Sequence, residues 1–190
     1  MKLMTTTRGT SRTLKKKTKS ICTAFALLVV ATVVHGQSNF DEEFDDQEKP
    51  WQEITVQLPE PPAAENLLPF YVSPTATQTF AIDAKSLSVG TDGVVRYTLV
   101  TKSAEGATNV SYEGIRCQSY EKKLYAFGHA DGKWSRSRRD QWERIGANTT
   151  NRQHAALAKD YFCQEKVVAG TAKDMVQRLR SQRPLSSNVS

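Results

Sequence analysis

Apolar and polar positions change their period once along this chain, near Trp134. From about residue 70 to 128 they alternate, the period of a half-buried strand. "TFAID" alternates Phe80 and Ile82. "SLSVGTDGVVRYTLV" reads as a hairpin, with Asp92-Gly93 at the turn where positive φ is needed. Val95, Tyr97 and Leu99 share one face of its second strand. In "ATNVSYEGIRCQSY", Val110 and Tyr112 have one parity, and Ile115 and Cys117 the other. Gly114 lies at the switch, which predicts a bulge there. "KKLYAFG" supplies a further strand, and "HADGK" a second turn at Asp131-Gly132. Four or five strands joined by short links imply an antiparallel sheet.

Beyond Trp134 the period becomes helical. Asn148 to Thr150 are cap candidates, and Leu157–Tyr161 and Ala158–Phe162 repeat at i,i+4. In "TAKDMVQRLRSQRP", Thr171 is the expected N-cap with Asp174 three residues on. Ala172, Met175, Val176 and Leu179 form one stripe, and Pro184 stops the helix. Strands followed by helices give an α+β domain over 67–183, with 184–190 as a disordered tail. Before it, 37–66 reads as an acidic, proline-containing flexible arm and connector. Within that stretch Ile54, Val56 and Leu58 alternate as a short extended segment. "PEPPAAENLLPF" reads as a connector that packs Leu67, Leu68 and Phe70 on the domain, its prolines barring a central strand.

The N-terminus changes how the charge is read. Residues 1–20 carry seven Lys/Arg and no acid, and 14 uncharged residues follow from Ile21 to Val34. That is a signal peptide over 1–36, cut near Gly36–Gln37; its apolar run is short of the ~20 residues a membrane span needs. The expected product is periplasmic, with no transmembrane span after processing. Retention of the leader as an anchor is the rival reading. The whole chain is +6, but without residues 1–36 it has 19 Lys/Arg against 20 Asp/Glu. Its basic balance is therefore no argument for nucleic acid. Nine acids and one lysine fall in 37–66, and 11 acids and 18 Lys/Arg in 67–190. An acidic arm thus precedes a basic domain.

Cys22 leaves with the leader, so the exported chain keeps Cys117 and Cys163. In an oxidising compartment two cysteines default to a disulfide. Closing a loop of 46 residues contributes about 4 kcal/mol in the chain-entropy model. There is no C-x-x-C, and only His129 and His154 outlast export, so no metal or other cofactor is expected. No nucleophile elbow, P-loop or dinucleotide fingerprint occurs, and no catalytic residue is assigned. His129 and Asp131 fall in a turn that needs Asp-Gly for its backbone. His154 has Ala158 at i+4, which excludes a His-x-x-x-His metal pair.

"KWSRSRRDQWER" is the most suggestive surface. It mixes Lys133, Arg136, Arg138, Arg139 and Arg144 with Trp134 and Trp142. Outside the cytoplasm such a surface meets anionic lipid head groups, anionic glycans or acidic envelope proteins. The bland alternative has both tryptophans as core anchors and the arginines as solvated charge.

Several stretches together resemble one family. They are "PWQEITVQLPEPPAAENLLPFYVSPTATQTFAIDAKSLSVGTDGVVRYTLV", "NVSYEGIRC", "KLYAFGHADGKW" and "RQHAALAKDYFC". The chain resembles the cryptic neisserial protein-like family, exported proteins of β-proteobacteria, over about 50–165. The resemblance implies a bacterial envelope setting and a paired Cys117 and Cys163. It supplies no catalytic residues. Two functions stay open: a non-enzymatic envelope interaction module, or a cell-wall-related hydrolase or other periplasmic enzyme. A deep pocket holding a His–carboxylate pair would favour the enzyme, and a flat patch of Trp and Arg the module.

Overall fold

The computed structural model describes residues 50–146 and 152–185. The expected leader, the acidic stretch up to residue 49 and the caps at Asn148 to Thr150 lie outside the described residues. So do positions 186–190 of the expected tail. Among the described residues no helix is long and apolar enough to cross a membrane.

The architecture is an antiparallel sheet with helices after it. The strands are β1 (Leu67–Phe70), β2 (Gln78–Val89), β3 (Val94–Ser103), β4 (Thr108–Arg116), β5 (Glu121–Gly128), β6 (Trp134–Arg136) and β7 (Glu143–Arg144). Their order is β1-β2-β3-β4-β5-β6, each antiparallel to the last, with β7 also pairing β5. The sheet therefore has seven strands, more than the four or five expected. The additional ones escape periodicity for physical reasons. Pro69 lies in β1, which is tolerable because β1 is an edge strand. β6 and β7 have three and two residues, too few to show alternation.

Gly114 does not mark a bulge between β3 and β4, which pair without interruption from Val94↔Arg116 to Lys102↔Thr108. Both parities of β4 are covered because both faces of the sheet are covered. Ile115 and Cys117 join the core on the helical side, and Tyr112 joins a second cluster on the other. The irregularity lies in β5 instead: Tyr112 pairs Ala126 while Glu113 pairs Leu124, leaving Tyr125 as the extra residue. Gly114 makes room for it. A Cβ there would come within 2.7 Å of the Tyr125 Oη and 3.0 Å of the Val94 Cγ1.

After β7 the chain forms α1 (Arg152–Ala156), which runs on as a π-helical turn over Leu157–Phe162. A two-stranded hairpin, β8 (Cys163–Gln164) with β9 (Val167–Val168), precedes α2 (Ala172–Ser181). Thr171 caps α2 as the spacing predicts, in a capping box with Asp174. Gln182 ends it in the left-handed conformation. Met175 and Leu179 are fully buried, and they pack with Leu157, Tyr161 and Phe162 against Ile82, Val95, Tyr97 and Leu99.

Cys117 and Cys163 are bonded, with Cα atoms 5.6 Å apart. Cys117 falls one residue past β4, and Cys163 has left the helix for β8. The bond thus joins the end of a strand to the exit of a helix, and it is buried.

Candidate functional site

Two clusters of titratable side chains form, one on each face of the sheet, and neither is contiguous in sequence. On the helical face, alternation along β4 turns Ser111 and Glu113 toward α1. Glu113 Oε2 lies 2.6 Å from His154 Nε2. Ser111 Oγ donates to Glu113 Oε1 at 2.7 Å, and the Tyr97 hydroxyl donates to Oε2 at 3.3 Å. Both partners are buried, His154 at 5% exposure and Glu113 at 8%. Burial alone would push the Glu113 carboxyl up. The charge and hydrogen bond of His154, with the Ser111 hydroxyl, outweigh it and hold the carboxyl below its ordinary 4.5. The Tyr97 hydroxyl is pushed well up, by burial first and the Glu113 charge second. His154 Nδ1 has no hydrogen-bond partner among the described residues.

The other face is covered by the chain's own residues 51–59. Val56 and Leu58 pack with Trp134 against Tyr112, Tyr125 and Ala126. The indole of Trp51 donates to the Asp92 carbonyl at 2.8 Å, and the indole of Trp134 to the Pro59 carbonyl at 2.8 Å. Here the contacts are those of a packed strap, whereas the sequence reading placed this stretch in a flexible connector.

Glu53 is the strap's charged anchor. Its carboxylate accepts from the Tyr125 hydroxyl at 2.6 Å, Lys123 Nζ at 2.8 Å and Arg96 Nη2 at 3.4 Å. Arg96 also donates both Nη atoms to Asp92, at 3.0 and 2.6 Å, and Asp92 Oδ2 accepts the Ile54 amide at 3.1 Å. Burial would raise the Asp92 carboxyl, but Arg96 and the Ile54 and Val94 amides hold it below its ordinary value. Burial would lower the Lys123 ammonium, but Asp140 and Glu53 raise it. The Tyr125 phenol is pushed up, by burial first and the Glu53 carboxylate second. This carboxylate seat is a fixed, charge-assisted cluster. Asp92 was visible in the sequence only as a turn residue; the Asp92–Arg96 pair arises because the β2–β3 turn returns the chain over its own strand.

The residues of "KWSRSRRDQWER" divide into two kinds. Arg136, Arg138, Arg139 and Arg144 are exposed, as is Lys133. Lys133 pairs with Asp131 and Arg139 with Glu143, and both basic side chains stay more than 80% exposed. Trp134 and Trp142 are half-buried. Trp134 packs on Tyr112, and Trp142 meets Trp51 edge-on at 5.8 Å. The Trp51 ring in turn carries Arg116 at 3.9 Å. The tryptophans pin the segment down and the arginines stay exposed on it. His129 bonds Ser135 of β6 at 2.6 Å, and Asp131 accepts the Lys133 amide in the turn before β6.

Concavities of about 670, 470 and 430 Å3 lie beside α2 and the β8–β9 hairpin, beside Pro61 and Lys85, and beside Thr75 and Arg152. Neither Glu113, His154, Glu53 nor Arg96 lines them. Among the described residues, no group of three or more His, Cys, Asp or Glu side chains is placed to hold a metal ion.

No solved structure matches the chain. A curated relative, Cryptic neisserial protein 1 of Neisseria gonorrhoeae, is 31% identical over 116 residues, which covers 53% of this chain and 55% of the relative. The chain thus matches about half the length of that relative. The CNP1-like family model matches residues 46–180, from before the strap through nearly all of α2, and the chain belongs to that family.

Proposed function

We propose that this chain is an exported, periplasmic protein of the cell envelope that acts as a non-enzymatic interaction module. Its binding surface is the segment from Lys133 to Arg144, and its partner is an anionic envelope component: an acidic protein, a lipid head group or an anionic glycan. The observation that carries this reading is the division of labour within the segment. Four arginines are exposed within nine residues, from Arg136 to Arg144, while Trp134 and Trp142 hold the backbone beneath them. Charge on a fixed frame loses less side-chain freedom on binding than charge on a loose tail. Export is supported by the sequence of residues 1–36 and by the envelope setting that the family resemblance implies.

The test has two parts. Intact-mass analysis of the periplasmic fraction should find the chain shortened by the leader, cut near Gly36–Gln37. Retention of the exported chain on envelope fractions should fall with added salt. It should also fall in a variant carrying R136Q, R138Q, R139Q and R144Q; unchanged retention there would defeat the assignment of the surface.

A hydrolase or other periplasmic enzyme is the second reading, and the Glu113–His154 pair favours it. A His–carboxylate pair drawn from distant segments is the raw material of acid–base chemistry. Its near-complete burial weighs toward a structural role, because a substrate must reach the proton it exchanges. Cell-wall hydrolysis lost in His154→Gln at unchanged thermal stability would reinstate the enzyme.

A further inference from the structure

The strap occupies its face of the sheet as a bound peptide would. Residues 51–62 make no backbone-to-backbone hydrogen bond with the rest of the chain among the described residues. Contacts that involve side chains hold them: the Trp51 indole on the Asp92 carbonyl, the Glu53 carboxylate, the Ile54 amide on the Asp92 carboxylate, the Pro59 carbonyl on the Trp134 indole, and the apolar packing of Val56 and Leu58. A ladder strand would be part of the sheet; this segment lies on it. Its seat is organised without it. Arg96 is oriented by two bonds to Asp92, Lys123 pairs Asp140 at 2.6 Å, and the Tyr125 ring packs at a tilt against Tyr112. If Glu53 left, Arg96, Lys123 and the Tyr125 hydroxyl would still converge on one point suited to a carboxylate. Leaving it empty would strand the buried Tyr125 hydroxyl, which costs more than an ordinary lost contact.

We infer that the strap-covered face is a peptide-binding groove held closed in cis, and that an extended acidic segment of a partner protein displaces the strap. The partner segment carries an aromatic residue two positions before a carboxylate, and apolar residues three and five positions after it. The charge complementarity of the seat selects the carboxylate, and the strap's own contacts define the spacing. This rests on the reading of the chain as an interaction module and gives that module a second, regulated surface. A tethered strap competes at high effective concentration, so the groove opens only to a partner that outcompetes it.

The probe is a fluorescent synthetic peptide of residues 48–60, "EKPWQEITVQLPE", titrated into the full exported chain. Glu53→Gln in the chain weakens the cis strap and leaves the seat intact. It should tighten peptide binding at least about tenfold, since apparent affinity scales with the open fraction. Trp51→Ala loosens the strap from its other end and should act in the same direction, so the test survives if one variant folds poorly. Adding Lys123→Met to either variant should remove the binding, as should replacing the peptide's Glu53 by glutamine. Equal affinity for wild type and both strap variants, binding that survives Lys123→Met, or no binding at all would overturn the inference. Light scattering should find the wild-type chain monomeric. A dimer that the peptide dissolves would make a second copy's strap the occupant and overturn the partner assignment. R138Q with R139Q should leave peptide binding unchanged, so failure of the arginine surface and failure of the groove are read separately.

Discussion

The two faces of the sheet are covered by different means. On one, α1, the π-helical turn and α2 bring Leu157, Phe162, Met175 and Leu179 down on the strands, and the Cys117–Cys163 bond ties the cover to the end of β4. On the other, a single extended segment relies on indole N–H groups, one carboxylate and two aliphatic side chains. The first cover is apolar, covalent and contiguous with the core. The second is polar at its centre and replaceable. A face that must always stay shut is closed by packing; a face closed by a charge-assisted seat can be opened by a competitor or by salt. Each face also contains one buried carboxylate cluster, yet Glu113 is enclosed by helix while Glu53 is delivered by the strap.

Substitutions on the helical face should break this contrast most strongly. Phe162 is fully buried against Tyr97. Phe162→Ala should lower the unfolding free energy by about 3–5 kcal/mol in urea denaturation. A loss near 1 kcal/mol would place the helices among replaceable covers too. Cys117→Ser follows, at about 2–5 kcal/mol, and the double variant with Cys163→Ser should be no worse than the single. In native, unreduced protein Cys117 and Cys163 should resist labelling reagents; labelling of both would remove the covalent tie.

Gly114→Ala tests the junction of the two faces. Its Cβ would press on Tyr125 and Val94. A thermal melt should show a loss of about 1–3 kcal/mol, and Tyr125→Phe, which removes the nearest atom, should relieve part of it. No loss would mean that β5 can shift freely.

The pH dependence sharpens the contrast further. Glu113 titrates below its ordinary 4.5 in the folded chain. A carboxyl with a depressed folded value adds stability above its unfolded value, and loses it as pH falls through the folded one. Asp92 acts in the same sense on the strap face. Stability should therefore fall progressively below about pH 4.5. In Glu113→Gln the acid slope should flatten, and an unaltered slope would assign the acid sensitivity elsewhere. The smallest effect belongs to the acidic stretch before the strap. Removing 37–49 should leave the thermal midpoint unchanged, because that stretch offers few apolar groups to bury; a large drop would make it part of the cover.

The antiparallel hairpins were legible because Asp-Gly pairs mark turns and β-branched residues alternate beside them. The cap of α2 was legible because Thr171 and Asp174 act within one turn. Both are local effects, and local effects leave local signatures. The parity switch at Gly114 was visible but pointed to the wrong cause. A strand buried on both faces and a bulged strand produce the same pattern, and only knowledge of what lies above each face separates them. β6 and β7 were illegible for want of length.

By itself the sequence determined the sheet-then-helix order, the pairing of Cys117 with Cys163 and the separation of an acidic stretch from a basic one. These depend on neighbours along the chain or on counting. Only the tertiary structure decided that residues 51–59 form a cover, that Glu53 meets Arg96, Lys123 and Tyr125, and that His154 faces Glu113. Those contacts join residues 43 to 72 positions apart for Glu53 and 41 for His154. No periodicity carries information over such distances, because what fixes them is which face of the sheet each strand presents once all its neighbours are in place.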